Sequence, residues 1–579
     1  MKLSTVVVLA GLASRAAARS HGRGICQSLS KAASWPGLIL LLSAVAALAA
    51  YVSSNVAVRP RIEGACVRSD AALRWLASQL SENAAISCRG QPLQQHNADR
   101  YWGEQFGKNA SVVVYPATTH DVSRAVQAAA WSPFGREFSV VGGAHSQVNA
   151  SSSYGFVLDM SWMNSSQLIL NFTDTATAGA PIAAVEYQGG ANWGQVHAVT
   201  NGTGYAAVGA RVANVGVGGF SLGGGIGFLA GAYGFATDRL VRLEVVLPSG
   251  EVVTPTKTNE HADLFWALQG GSGQFGIVTR FWQRAVAEPK RSTLAFYYVE
   301  DEYVARLRQQ TVEFFDTNKD PFSVVYYSFG YLPDDLGNAT PESYAKRTLL
   351  ITVHFDDPTS PGQLNNTATF ERLLDGIDTS RGTVVSTAHY ADLAFIGEAA
   401  YPYGYRRGFY GGQTSAIDVD YLARQTETFW RYVDALTERG EHPYSASFVV
   451  QYMHPGLSGH LPASDADTAW PHAVVGHQTL FTAAYKHAEN DALTLAAVQA
   501  LNEGTYAQQR KIGGGRVLAN YPNYIAPGDG GCRVWGRNVK RLVQVKQKYD
   551  PGCLLRNGKV FASQGCVEGG WANVFDDCE

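Results

Sequence analysis

Hydrophobic runs and amphipathic stretches alternate along the first third of the chain. Residues 111–116, SVVVYP, have the β-branched character of a short strand, and residues 118–129 begin with a capping threonine and carry apolar side chains at helical spacing. Residues 138–141 and 155–160 are two further strand-like runs. This pattern predicts an α+β opening of the kind that builds a cofactor-binding layer.

The pattern continues with strands through the middle of the chain. Residues 240–246 and 251–253 read as strands around the turn Pro248-Ser249-Gly250, and residues 261–268 read as a short helix. Beyond residue 290, aromatic strand-like runs such as 294–299 and 322–327 alternate with helical stretches. These runs predict a second region that is richer in strands.

Residues 214–234 break the pattern, because they contain nine glycines in twenty-one residues. That density predicts neither an ordinary helix nor an ordinary strand. The intervening residues are mostly apolar, which is untypical of a surface linker. Glycine lets a backbone come close to a bulky guest and point N–H groups at it, so we expect a phosphate or a planar ring here. No GxxxxGK[ST] motif is present, and a second glycine cluster, GGSGQFG (270–276), precedes another strand.

Composition narrows the class of protein. The chain has 579 residues, 46% hydrophobic and 16% charged, with a formal net charge of -3. This length predicts two domains with terminal appendages, and this composition predicts an ordered globular protein. Without a long Lys/Arg run, the chain lacks the electrostatic footprint of a nucleic-acid binder. No cysteine pair has the spacing of a zinc site, so no metal is expected.

The N-terminus indicates export. Arg15, Arg19, Arg23 and Lys31 precede the apolar stretch 37–52, whose length lies between that of a signal-peptide core and that of a spanning helix. The positive-inside rule then places the rest of the chain outside the cytosol. Residues 1–58 are therefore predicted to be a cleaved signal or a single anchor. The protein would be secreted or held in a secretory-pathway membrane, touching the membrane only through this segment.

Glycosylation and disulfide signals agree with export. Seven Asn-x-Ser/Thr sequons predict N-glycans, and six of the seven cysteines follow the apolar stretch. The sequons begin at Asn109, Asn149, Asn164, Asn171, Asn201, Asn338 and Asn365. The preferred disulfide joins Cys66 and Cys88.

His145 lies in VVGGAHSQV, directly after two glycines and an alanine. A lone histidine among apolar residues is usually a core residue, so the wider sequence has to decide its role. Four blocks carry a resemblance: residues 140–164, 190–253 and 263–281, and the C-terminal YPNY (521–524) with WGRNVKRLVQVKQKYDPGCLLRN (535–557). In these blocks the chain resembles the berberine-bridge-enzyme-like branch of FAD-linked oxidoreductases, which carry the flavin-binding domain of the vanillyl-alcohol oxidase and p-cresol methylhydroxylase type.

The resemblance implies an α+β fold with a two-part FAD-binding domain and an inserted antiparallel-sheet substrate domain. We expect the N-terminal part at residues 59–289, the insert at 290–500, the returning C-terminal part at 501–560 and a Cys-containing tail at 561–579. The isoalloxazine would lie between the flavin domain and the insert.

The resemblance also implies covalent FAD, attached through the imidazole of His145. Some relatives have a second bond from a cysteine, but Val212 occupies that position here, so we expect attachment through His145 alone. Val215 falls where a small residue admits dioxygen, which favours an oxidase. The implied cofactor-binding residues are Gly142, Gly143, Ala144, His145, Ser146, Val215, Gly216, Gly219, Ser221, Gly223, Gly224, Gly225, Gly227, Gly276, Ile277, Val278 and Asn523.

Flavin reduction takes a hydride from a substrate carbon, usually with a base that removes a hydroxyl proton. The candidate catalytic residues are Tyr521 and Tyr524 of the YPNY block and Gln451 of the insert. A tyrosine base would need a lowered pKa. Further candidates are the tyrosines of AYPYGYRRGFYG, at positions 401, 403 and 405.

The leading hypothesis is an exported FAD-dependent oxidase that acts on a small alcohol, a sugar or a secondary metabolite, with O2 as co-substrate and H2O2 as by-product. One alternative is an oxidative cyclase or dehydrogenase of a secondary-metabolite pathway. The alternative from another class is a catalytically inactive, flavin-containing surface or binding protein. Peroxide release across a panel of oligosaccharides and aromatic alcohols would separate the three.

Overall fold

The computed structural model describes residues 62–173, 181–333, 343–358, 366–398, 401–512, 517–527 and 529–557. The predicted apolar segment 37–52, the tail 561–579 and the sequons at Asn338 and Asn365 lie outside these residues. Among the described helices, none combines the length and the apolar character that crossing a bilayer requires.

The chain opens with a five-stranded sheet and its helices. In chain order these elements are β1 (Ile62–Glu63), α1 (Cys66–Ser69), α2 (Ala71–Gln79), β2 (Ala85–Cys88), α3 (Pro92–Asp99), β3 (Val112–Tyr115), α4 (Thr119–Trp131), β4 (Phe138–Val141) and β5 (Phe156–Asp159). The strand order is β1-β2-β3-β5-β4, with β2 and β3 antiparallel and the other pairs parallel. Thr118 and Asp121 form a capping box at the start of α4. The predicted strands and helix of this region are confirmed.

A disulfide between Cys66 and Cys88 joins α1 to the end of β2, with the two Cα atoms 5.8 Å apart. The preferred pairing is therefore confirmed. Cys532 and Cys553 are disulfide-bonded as well.

A second, antiparallel sheet follows. Its elements and their neighbours are β6 (Ser166–Phe172), β7 (Ile182–Gln188), α5 (Trp193–Thr200), β8 (Tyr205–Ala206), α6 (Val217–Leu222), α7 (Ala230–Tyr233), β9 (Leu240–Val246), β10 (Val252–Val253), α8 (Ala262–Leu268), β11 (Ile277–Arg284) and β12 (Val286–Ala287). The sheet has the order β10-β9-β11-β7-β6, and β8 pairs with β12 separately. The predicted strands around the 248–250 turn and the predicted helix at 261–268 are confirmed.

The glycine-rich run 214–234 contains two short helices, α6 and α7, so the prediction that no helix forms there is wrong. The chain leaves α6 through two glycines in the left-handed region, Gly224 (φ 104°) and Gly225 (φ 84°). Val217 is fully buried and Leu222 is nearly so, both in the core of the second sheet. Burial of this helix face outweighs the low helix propensity of glycine.

The inserted region is a seven-stranded antiparallel sheet with helices. Its elements are β13 (Ser292–Val299), α9 (Asp301–Thr317), β14 (Ser323–Pro333), β15 (Tyr344–Phe355), α10 (Asn366–Leu374), β16 (Gly382–Thr387), α11 (Ala391–Glu398), β17 (Arg406–Thr414), α12 (Val419–Glu438), β18 (Ser445–Gln451), β19 (His477–Tyr485) and α13 (Asp491–Ile512). The strand order is β16-β13-β15-β14-β18-β19-β17. The predicted antiparallel-sheet insert is thus confirmed.

Alternation along β14 gives this sheet two different faces. Val325, Tyr327 and Phe329 point into a core shared with the helices α9 and α12. Tyr326 and Ser328, between them, point to the opposite face and line a cavity. Helix α13 packs against β17 and runs to Ile512, so the insert extends past residue 500.

The C-terminal segment returns to the first two sheets through α14 (Gly531–Trp535) and α15 (Val539–Tyr549). Trp535 and Leu542 join the core of the second sheet, and Leu555 joins that of the first. Lys546 and Asp550 form a fully buried ion pair, and Lys546 Nζ also donates to the carbonyl of Gln274 at 2.5 Å. The returning segment therefore fixes one of the glycine loops.

Candidate active site

A cavity of about 700 Å³ lies where the insert faces the two N-terminal sheets. One half is lined by loops, chiefly residues 142–148, 215–220 and 272–278, together with 521–525. The other half is lined by the inner face of the seven-stranded sheet and by α11. A cavity of this size between two structural layers is typical of a ligand site.

His145 stands on the loop that leaves the carboxyl end of β4. Its imidazole stacks on the indole of Trp102, with ring centroids 5.1 Å apart and an interplanar angle of 16°. The Nε2 atom lies 3.4 Å from the hydroxyl of Tyr403. Neighbouring Arg100 pairs with Asp159 and also donates to the carbonyl of Gly142. The imidazole is therefore held between aromatic rings at the cavity wall.

Burial is the main reason why the pKa of His145 is lowered, to about 3. The guanidinium groups of Arg407 and Arg100 lower it further, and a hydrogen bond with Asn214 only partly opposes them. At neutral pH the ring is uncharged, so a ring nitrogen keeps the lone pair that a nucleophile needs.

The His145 loop has the geometry of an anion-binding nest. Ala144 has a φ of 57°, a left-handed conformation that is uncommon for alanine. In the described part of the chain, no acceptor is found for the backbone N–H groups of residues 143–147. Successive N–H groups left free around a left-handed residue suit an anion such as a pyrophosphate.

Close backbone contact explains two of the glycines. A Cβ atom on Gly143 would lie 2.2 Å from the backbone nitrogen of Gly216, and one on Gly216 would lie 2.3 Å from that of Gly143. A Cβ atom on Gly219, by contrast, would meet only open space. The His145 loop and the start of α6 thus approach each other as bare backbone, and together they form one wall of the cavity.

Two serine hydroxyls add polar groups to this wall. Ser146 Oγ and Ser272 Oγ are buried, and neither has a hydrogen-bond partner among the described residues. Ser272 also has a left-handed φ, of 69°. Buried hydroxyls without partners cost free energy unless a ligand satisfies them. The nest, the glycine wall and these hydroxyls fit the phosphates and the flat ring of FAD.

Fifteen of the predicted site residues line the cavity. They are Gly142, Gly143, Ala144, His145, Ser146, Val215, Gly216, Gly219, Gly276, Ile277, Val278, Gln451, Tyr521, Asn523 and Tyr524. Five others, Ser221, Gly223, Gly224, Gly225 and Gly227, lie behind the wall. Ser221 is close to the hydroxyl of Tyr187, at 3.4 Å, and a Cβ atom on Gly223 would collide with Asn523. These five shape the wall from behind.

Tyr521 is held by three donors. Its hydroxyl oxygen accepts hydrogen bonds from the backbone N–H groups of Gly225 and Ile226, at 3.1 and 3.0 Å, and from Asn523 Nδ2 at 2.9 Å. Burial, and next the neighbouring Tyr524, raise the pKa of Tyr521 to about 12 in spite of these donors. The direction is opposite to the lowered pKa that we expected for a tyrosine base.

Arg211 links the remaining predicted catalytic residues. Its Nη1 donates to the hydroxyl of Tyr326 at 2.8 Å and to Gln451 Oε1 at 2.9 Å, and its Nη2 donates to the hydroxyl of Tyr524 at 2.5 Å. Tyr326 and Gln451 are paired across β14 and β18. Burial works to lower the pKa of Arg211, but the surrounding tyrosines raise it overall, so the side chain carries a full charge.

The three tyrosines of AYPYGYRRGFYG have different positions. Tyr401 lines the cavity, and Tyr403 contacts His145. Tyr405 packs on Tyr444, with ring centroids 5.0 Å apart, and does not line the cavity. Two of the three therefore lie at the site.

Sequence reasoning missed Arg211, Tyr326 and Trp102. Arg211 had a usable signal, because it is the one charged residue in the stretch AAVGARVANVGVGG. Tyr326 had no usable sequence signal, since it is one tyrosine among several on a buried strand. Trp102 precedes the first predicted strand and reaches His145 only through tertiary packing.

Two family models match the chain. The model described as "FAD binding domain" matches residues 110–256, which hold His145 and the glycine-rich run. The model described as "Berberine and berberine like" matches residues 519–559, which hold Tyr521, Asn523 and Tyr524. Both matched regions contribute to the wall of the same cavity.

Two relatives and one solved structure are also similar to this chain. An FAD-linked oxidoreductase of Aspergillus terreus, pgmH, is 25% identical over 531 residues, 86% of this chain and 97% of that protein. The FAD-dependent monooxygenase macF of Penicillium terrestre is 35% identical over 185 residues, 32% of this chain and 34% of that protein. A glucooligosaccharide oxidase from Acremonium strictum, described with a 6-S-cysteinyl, 8α-N1-histidyl FAD, has a TM-score of 0.65 and 17% identity, over 85% of this chain and 98% of that one.

The fold, the two matched regions and the full-length relative lead to one conclusion. The chain carries an FAD-binding domain and a berberine-like C-terminal segment, and along most of its length it is similar to an FAD-linked oxidoreductase.

Proposed function

We propose that this protein is an exported oxidase that binds FAD covalently through His145 and oxidises a hydroxyl-bearing organic compound. The substrate carbon gives up a hydride and its oxygen gives up a proton, and O2 takes up the two electrons and two protons to become H2O2. A bound flavin supplies the two-electron acceptor. The observation that carries the proposal is an uncharged His145 on a nest-like loop, facing the same cavity as Tyr521 and Tyr524.

His145 has the properties that covalent attachment needs. The ring is neutral, it is oriented by Trp102, and it lies beside a backbone wall made of glycine. Val212 lines the cavity where some relatives carry a cysteine. Valine cannot form a thioether, so a single covalent bond is proposed, unlike the two bonds described for the Acremonium enzyme.

Tyr521 is the proposed proton acceptor. Two backbone N–H groups and the amide of Asn523 point at its oxygen, and they would stabilise the phenolate that forms when the residue loses its proton. With a pKa of about 12, only a small share of Tyr521 is ionised at neutral pH, so activity should rise in alkaline solution.

Val215 supports the use of dioxygen. It lines the cavity between the His145 loop and α6 without filling the space beside Gly219. A small apolar side chain at this position leaves a dry path for O2 towards the place where the flavin ring would lie.

Three features support export. The asparagines of the five described sequons, Asn109, Asn149, Asn164, Asn171 and Asn201, are all exposed, as N-glycosylation requires. The Cys66–Cys88 disulfide is typical of an oxidising compartment. The apolar segment 37–52 supplies a targeting signal.

The test is expression of the full chain in a eukaryotic secretory host with ample riboflavin. We expect the protein in the medium to carry glycans, and its acid-precipitated polypeptide to retain yellow flavin fluorescence that peptide mapping assigns to His145. The enzyme reduced with dithionite should regain the oxidised spectrum in air and release H2O2. A colourless precipitate, or flavin attached at another residue, would contradict the proposal.

A further inference from the structure

Arg211 is the single permanently charged side chain among the described residues that line the cavity. The described lining residues include no aspartate, glutamate or lysine, and His145 is uncharged. A ligand beside Tyr524 and Gln451 therefore meets one positive charge and no negative charge from the protein.

The protein does not neutralise this charge. Arg211 forms its three hydrogen bonds with neutral acceptors, the hydroxyls of Tyr326 and Tyr524 and the amide oxygen of Gln451. In the described part of the chain no carboxylate forms an ion pair with it, and the ionisable groups closest to it are the neutral side chains of Tyr326, Tyr521 and Tyr524. An enclosed guanidinium without an anion is costly, so the site favours a ligand that supplies one.

The guanidinium also has donors to spare. It has five N–H groups, and three of them are used by the described residues. The side chain is partly accessible from the cavity. Two free N–H groups on a planar guanidinium can bind both oxygens of one carboxylate. A lysine ammonium, which is a compact point charge, lacks this geometry.

The part of the opposite wall that β13, β15 and α11 form is apolar. Leu294 and Phe296 of β13, Leu349 and Ile351 of β15, and Leu393 and Ile396 of α11 all line it. Such a wall favours a hydrocarbon or aromatic frame, because each square ångström of apolar surface removed from water contributes roughly 25 cal/mol. On this part of the wall the hydroxyl groups of an oligosaccharide would lose water without finding partners, whereas Ser328, Ser447 and Thr482 line the neighbouring strands.

We propose that the substrate is an apolar, ring-bearing carboxylic acid, whose carboxylate pairs with Arg211 while its frame lies on the apolar wall. This inference rests on the proposed function, since it names the substrate class of the same site. Tyr326, Gln451 and Tyr524 act as positioning residues that fix the guanidinium.

The test compares two ligands of nearly equal shape, 2-naphthoate and 2-naphthamide, by calorimetric titration of the oxidised holoenzyme. A charge-assisted contact predicts that naphthoate binds about 10- to 100-fold more tightly. Cellobiose, as the saccharide probe, should show no binding at the same concentrations. Equal affinity for the two naphthyl compounds, or tighter binding of cellobiose, would overturn the inference without any variant.

Three variants assign the preference to Arg211. Arg211→Gln should abolish the naphthoate preference, Arg211→Lys should keep part of it, and Arg424→Gln, at an exposed position on α12, should leave it unchanged. Arg211 could instead serve the cofactor. In that case Arg211→Gln would lower the flavin midpoint potential and leave the naphthoate preference intact, and that result would also overturn the inference.

This experiment separates the two proposals. Covalent flavin and H2O2 release after dithionite reduction depend on His145 and on O2 access, and no substrate is needed for either. A yellow, oxygen-reactive enzyme that binds both naphthyl compounds equally would keep the proposed function and remove the substrate class. A colourless protein would contradict the proposed function, whatever its affinity for the naphthyl compounds.

Discussion

His145 and Trp102 form a parallel stack, with ring centroids 5.1 Å apart and planes 16° apart. The same indole receives the guanidinium of Arg407, whose Cζ lies 4.4 Å from the ring centroid. Arg407 is also, after burial, the main cause of the lowered pKa of His145. One tryptophan therefore fixes the orientation of the imidazole and holds beside it a cation that adds to the effect of burial in keeping the imidazole neutral.

Replacing Trp102 should reduce covalent flavin attachment. Trp102→Leu removes the stacking surface, so we expect the share of protein with covalent flavin to fall several-fold, whereas Trp102→Phe should restore most of it. The measurement is the ratio of flavin to protein absorbance after acid precipitation. Trp131→Leu, at a residue that is 54% exposed, is the control. Full attachment in Trp102→Leu would show that the stack has no positioning role.

Adding one methyl group at Gly143 should disturb the cofactor wall. The new Cβ atom would lie 2.2 Å from the backbone nitrogen of Gly216, so one of the two loops must move. Overpacking of this kind costs about 1–3 kcal/mol, and here the displaced atoms are backbone. We expect Gly143→Ala to be less stable to urea and to contain little flavin. Gly552→Ala is the matched control, because its Cβ atom would meet nothing within 4 Å. Normal flavin content in Gly143→Ala would contradict the proposed packing.

Flavin reduction should become faster as pH rises, because Tyr521 is the proposed base. A base acts when deprotonated, and the pKa of Tyr521 is raised to about 12, so the rate constant of flavin reduction should rise about tenfold per pH unit between pH 7 and 10. Stopped-flow absorbance with a turnover substrate measures this. Tyr521→Phe should be about 10²–10⁴-fold slower with a flat profile. Tyr154→Phe, at an exposed tyrosine, should behave as the parent enzyme does. A flat profile in the parent would exclude Tyr521 as the base.

Acid should destabilise the fold partly through His477. Burial lowers the pKa of this histidine to about 4, whereas an unfolded chain has a value near 6.5. Between pH 6.5 and pH 4 the unfolded state therefore binds a proton that the folded state does not bind, and stability is lost as pH falls below 6.5. From pH 7 to pH 5 this linkage lowers the free energy of unfolding by about 2 kcal/mol.

Urea unfolding at pH 7 and pH 5 tests this linkage. His477→Gln keeps an acceptor for the backbone N–H of Met453. Between pH 7 and pH 5 the free energy of unfolding of this variant should fall by about 2 kcal/mol less than that of the parent chain. His96→Gln, at an exposed histidine, should lose as much as the parent. Equal losses in His477→Gln and the parent would show that the residue is not responsible.

The sequence by itself determined the elements and the motif positions. The strand runs 138–141 and 155–160, the capped helix after Thr118 and the antiparallel insert appear in the structure because hydrophobic periodicity and caps act over a few residues. The same locality explains why VVGGAHSQV and YPNY could be singled out. Glycines and a histidine in close succession restrict what one short loop can do, whatever surrounds it.

Tertiary structure decided what these residues face. Arg211 meets Tyr326, 115 positions away, and Gln451, 240 positions away, because β14 and β18 pair side by side under the loop that carries it. It also placed Gly223, Gly224 and Gly225 behind the cavity wall, and it raised the pKa of Tyr521 by burial. Burial and charge compensation depend on groups brought together from the whole chain, so no local pattern could have revealed them.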